Sequence, residues 1–100
     1  MSKLASIFEL RSILRQMEKD VGLDGLSSTE KDVLLAAHSL TERPGDVIES
    51  DQIRNHEFIE GKPPATFHRA MRKLLELGLL KRADGYKSKR YVVRAEVLDK

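Results

Sequence analysis

The chain has 100 residues, no cysteine, 40% apolar and 34% charged residues, and a formal net charge of +2. This is one domain's worth of chain, and apolar residues recur along all of it, which excludes a disordered tail. Without cysteine there are no disulfides and no thiolate metal sites, and no apolar run reaches the roughly 18 residues needed to span a membrane.

The N-terminal MSKLASIFELRS has no apolar h-region and no small-residue cleavage site, so no signal peptide is expected. A cytoplasmic location follows as the expectation. The net charge hides an asymmetry. Residues 1–61 carry 7 Lys and Arg against 12 Asp and Glu, a net of −5. Residues 62–100 carry 11 against 4, a net of +7. A split of this kind is the electrostatic footprint expected of a protein that meets a polyanion. A solvated, clustered surface is the plainer alternative.

Residues 3–21 read as a helix. Ile7, Leu10, Leu14, Met17 and Val21 are spaced 3, 4, 3, 4, the a/d pattern of a helix seam. Leu4, Phe8 and Ile13 widen the stripe, and Gly22 is the stop signal. The seam either packs on the chain's own domain or pairs two copies. Residues 1–22 are assigned as a dimerisation element on these five positions, and 23–100 as the second unit.

Ser27 and Glu30 fit a capping box, and a helix is expected from about Ser28 to Leu40. Val33, Leu34, Ala37 and Leu40 give it a core face. The sequence ERPGD ends it. Val47 and Ile48 suit a brief strand. Ser50 suits the cap of a short helix, roughly Asp51–His56, with Ile53 inward. Phe58 and Ile59 anchor its exit, and EGKPP is a loop.

The spacing then predicts a helix over about 64–77, with Pro64 tolerated in its first turn. Phe67, Ala70, Met71, Leu74 and Gly78 fall on one side. Ala65, Arg69, Arg72 and Glu76 fall opposite, with His68 and Lys73 at the edges. Two strands complete the chain, Leu79–Ala83 and Arg90–Ala95, around a turn at Asp84-Gly85.

Helix, short strand, short helix, basic helix and hairpin make the order of a winged helix-turn-helix. The fold class expected is mainly α with a small β-hairpin (α+β), plus an extra N-terminal helix. In such a domain the third helix enters the major groove and the hairpin, or wing, follows the backbone or the minor groove. The excess charge sits on those two elements.

ATFHRAMRKLLELGLLKR resembles the recognition-helix-to-wing segment of MarR-type winged-helix transcriptional regulators. Thr66, Arg69, Leu74, Gly78, Leu79, Leu80 and Arg82 stand at that family's pattern positions. LSSTEKDVLLAA is similar to the family's first core helix, and the likeness covers roughly residues 26–94. It implies a winged helix and DNA-binding transcriptional control. The chain stops just after the hairpin, so the family's C-terminal dimerisation helices have no counterpart in it. The effector pocket against those helices is therefore not expected, and an effector is unassigned. The loop HEFIEGKPP is longer than a plain helix-turn-helix turn.

The expected partners are double-stranded DNA and a second copy of the chain, with no membrane. The DNA-facing candidates are Lys62, Ala65, Thr66, His68, Arg69, Arg72 and Lys73, then Tyr86, Lys87, Lys89 and Arg90. Arg bonds guanine bidentately, and Thr or His donates to phosphates or base edges. Lys62 beside a helix N-terminus suits a phosphate. Arg69 also suits an internal ion pair, and lysines at a hairpin also guard its edge. His38, His56 and His68 lack metal-site spacing. No catalytic set appears, so no enzyme activity, metal or cofactor is expected. The competing reading is a protein-interaction module on the same scaffold.

Overall fold

The computed structural model describes residues 2–20, 22–83, 85 and 89–94. Along the chain run α1 (Lys3–Asp20), α2 (Ser28–Leu40), β1 (Ile48–Glu49), α3 (Ser50–Arg54), α4 (Pro64–Glu76), β2 (Leu80–Arg82) and β3 (Arg90–Val93). The architecture is α+β: helices with one small antiparallel sheet of order β1-β3-β2. Among the described residues no helix is long and apolar enough to cross a membrane.

Each helix starts and stops for a local reason. At α2 the Ser27 N–H donates to Glu30 Oε1 at 3.0 Å, and the Glu30 N–H returns to Ser27 Oγ at 3.1 Å. Two orphan donors are thereby satisfied, as the capping box requires. After α1, Gly22 adopts φ +79°. Its N–H donates to the Lys19 carbonyl, and the Leu23 N–H reaches back to that of Glu18 at 2.7 Å. This is a Schellman stop, and the left-handed position suits glycine.

The core lies between α2, α4 and the sheet. Val33, Leu34 and Ala37 of α2 meet Phe67, Ala70, Met71 and Leu74 of α4. Ile48, Leu80, Tyr91 and Val93 close it from the sheet, and Ile53 and Ile59 from the α3 region. All are buried, and among the described residues no polar or charged residue is buried with them. The helical and strand periodicities put these residues on inner faces.

Several boundaries differ from sequence expectation, among them β2, which is Leu80–Arg82 rather than Leu79–Ala83, and α4, which ends at Glu76 rather than 77. The short strand is Ile48–Glu49, and it pairs with β3 (Ile48 with Tyr91, Glu49 with Arg90), so the hairpin becomes a three-stranded sheet. The short helix is Ser50–Arg54, and its cap is Glu49, whose N–H donates to Gln52 Oε1 at 2.8 Å. Ser50 is instead drawn to the sheet, its N–H donating to the Lys89 carbonyl at 3.0 Å. The last arm is described as strand over Arg90–Val93, and Ala95 lies outside the described residues.

α1 stands apart. None of its described residues is buried, and among the described residues it makes no extensive contact with another element. It is joined to the domain at its C-terminal end, where Lys31 Nζ meets Glu18 Oε1 at 3.0 Å. Leu23 and Leu26 then enter the core.

Candidate nucleic-acid interface

α4 is strongly two-faced. Its apolar positions anchor it, which leaves the other face to solvent. Ala65, His68, Arg69, Arg72, Lys73 and Glu76 are exposed there, and Thr66 is half-buried. His68 stacks edge-on against Phe67, with centroids 5.4 Å apart, which ties its ring to the anchored side. Arg69, Arg72 and Lys73 make no ion pair among the described residues.

The orientation of α4 is fixed at both ends. Before it, residues 55–63 are a chain of turns. The Ile59 N–H donates to the His56 carbonyl and the Lys62 N–H to that of Ile59, while Ile59 itself is buried. Phe58 points outward instead and is 46% exposed. After α4, Gly78 adopts φ +75°. Its N–H donates to the Leu75 carbonyl, and the Leu79 N–H to that of Leu74 at 3.0 Å. This second Schellman stop delivers the chain directly into β2.

The remaining candidates behave differently from one another. Lys62 Nζ pairs with Asp32 Oδ2 of α2 at 3.2 Å, so its charge is partly spent within the chain. Arg90 Nη2 pairs with Glu49 Oε1 at 3.5 Å across the β1–β3 ladder. Lys89 is exposed, with φ +62°, at the entry to β3. Tyr86 and Lys87 lie outside the described residues, as does Val21 of the α1 seam. Ile7, Leu10, Leu14 and Met17 are all exposed on α1.

Sequence reasoning did not put Lys81 or Arg82 among the DNA-facing candidates, although Arg82 stands at a pattern position of the resemblance. Both are exposed on β2, an edge strand that directly follows α4. The signal was the LLKR run itself, two successive cations at the start of the hairpin. His38, His56 and His68 lie on separate elements, and no group of three metal-ligating side chains occurs among the described residues. No family model, no curated protein and no solved structure matches the chain.

Proposed function

We propose that the chain is a MarR-like winged helix-turn-helix that binds double-stranded DNA and regulates transcription. α4 would lie in the major groove, with the β2–β3 hairpin as the wing on the backbone or minor groove. The observation that carries this reading is the outward face of α4. Three cations, Arg69, Arg72 and Lys73, stand on a helix anchored by its opposite face, with no acidic partner among the described residues. The element order supports it as well, since α2, α3 and α4 precede the hairpin and β1 joins the hairpin's sheet.

Thr66, His68, Arg69 and Arg72 are the base- and phosphate-facing set. Lys81, Arg82 and Lys89 extend the positive surface onto the hairpin. Because phosphate neutralisation releases counterions, binding falls steeply with salt. The test is binding to random-sequence duplex DNA at two salt concentrations, followed by selection of enriched sites. Salt-sensitive binding with an enriched motif supports a specific regulator. Absence of binding at low salt removes the reading. The exposed apolar stripe of α1 favours a second one, a protein-docking module, in which α4's charge serves solubility alone.

A further inference from the structure

We propose that Asp32 is an internal competitor for phosphate at Lys62, so that one cation beside α4 is held in reserve. The inference rests on the reading of α4 as the DNA-facing helix. It adds a residue of α2, outside that face, that sets how tightly the face binds.

Lys62 stands two residues before α4 begins at Pro64. Its backbone is fixed there, because its N–H donates to the Ile59 carbonyl at 3.0 Å and Ile59 is buried. The side chain reaches back to α2, where Nζ lies 3.2 Å from Asp32 Oδ2. The two side chains are 24% and 38% exposed, so solvent ions screen the pair only in part. The Asp32 carboxylate has no other partner among the described residues. Arg69, Arg72 and Lys73 are held by no such acid among the described residues, so along α4 this restraint falls at the N-terminal end.

A phosphate that approaches Lys62 meets two obstacles. The ammonium is already engaged, and the carboxylate beside it repels a second anion. Lys62 either gives up Asp32, or bridges both anions with its three N–H donors while the like charges stay close. Both routes subtract from binding. The worth of such a pair near a protein surface corresponds to about 1.5- to 5-fold in affinity. A phosphate contact carries no sequence information, so Asp32 sets affinity and leaves sequence preference alone.

The experiment titrates the full chain, Asp32→Asn, Lys62→Ala, their double variant, Glu42→Gln and Glu42→Gln with Lys62→Ala. The targets are two duplexes of equal length and unrelated sequence, each over a series of salt concentrations. Glu42 is exposed and forms no ion pair among the described residues, so its variant measures the loss of any one negative charge. The expected result is that Asp32→Asn binds both duplexes about 1.5- to 5-fold tighter than the parent, a larger gain than Glu42→Gln gives. The slope of log affinity against log salt steepens by about one, the mark of one more phosphate contact. With Lys62→Ala in place, Asp32→Asn gains no more than Glu42→Gln does. A gain no larger than that of Glu42→Gln, a gain that survives without Lys62, or a gain on one duplex alone overturns the competitor and leaves the DNA reading standing. A parent chain without salt-sensitive binding removes the DNA reading itself, and the competitor with it.

Discussion

Ser39 Oγ lies 2.9 Å from His56 Nε2, joining the end of α2 to the turn after α3. The other ring nitrogen, Nδ1, accepts from the Phe58 N–H at 3.1 Å. An accepting Nδ1 carries no proton in the neutral ring, so Nε2 is the protonated nitrogen and donates to Ser39. Ser39 Oγ in turn donates to the Ala36 carbonyl at 2.8 Å. The relay is complete: the Phe58 N–H donates to His56, His56 to Ser39, and Ser39 to the Ala36 carbonyl. It pins the first turn of the loop that carries the chain to α4.

His56 is therefore expected to populate the Nε2–H tautomer, which nitrogen chemical shifts of the imidazole report directly. Ser39→Ala should cost about 0.5–1.5 kcal/mol in urea unfolding, the usual net worth of one such bond. An Nδ1–H tautomer, or a Ser39→Ala variant as stable as the parent, would show the relay is not formed.

The cations of the candidate interface should separate by their partners. If α4 meets DNA, Arg69→Ala and Arg72→Ala should each weaken binding by about 1–3 kcal/mol. Neither should move stability, because both are exposed and form no ion pair among the described residues. Lys62→Ala should weaken binding less than either, since Lys62 is already paired with Asp32. Its effect on stability should stay within about 0.2–1 kcal/mol, the range of ion pairs near the surface, since both partners are only half-buried. Titrations of the three variants against one duplex at fixed salt decide the order. Equal losses for all three would mean that Asp32 does not hold Lys62 back.

How much of this was legible depended on sequence separation. The Ser27–Glu30 box is written within four residues, and both of its hydrogen bonds form. Phe67, Ala70, Met71 and Leu74 are written in the period of one helix, and all are buried. The Ser39–His56 bond and the Lys62–Asp32 pair join residues far apart in sequence, so no local pattern announces them. The same holds for β1. Two residues have no period, and only pairing with β3 makes Ile48–Glu49 a strand. Phe58 shows the opposite failure. Its hydrophobicity suggested an anchor, but the adjacent Ile59 takes the core position and leaves Phe58 outside. On α1 the seam was legible, whereas its solvent exposure required the structure. A helix that packs on its own domain carries the same apolar spacing.

Gly78 joins α4 to β2 at φ +75°, and a Cβ there would come within 3.2 Å of Arg94 Nη1. The arginine end is flexible and can move, so backbone strain is the larger cost. Gly78→Ala should destabilise by about 1–2 kcal/mol, the penalty of a left-handed residue with a Cβ. Thermal unfolding measures it. Asn at this position tolerates the same backbone region better and should recover part of the loss. If alanine were neutral, the tight exit from α4 would not depend on the left-handed turn.

The two phenylalanines of the α3–α4 region should respond very differently to truncation. Phe67 is 1% exposed and anchors α4 among Leu34, Leu74 and their neighbours. Phe67→Ala removes a buried ring and leaves a cavity, at a cost of about 3–5 kcal/mol. That is a large share of what a domain of this size has to lose. Phe58 is half in water, and its one ring contact among the described residues is with His56, edge-on with centroids 4.8 Å apart. Phe58→Ala should cost about 0.5–1.5 kcal/mol, the worth of one such aromatic contact. Chemical unfolding of the two variants side by side gives the comparison. Similar losses at both positions would mean that Phe58 is covered in solution, and the turn between α3 and α4 would then have to be packed inward.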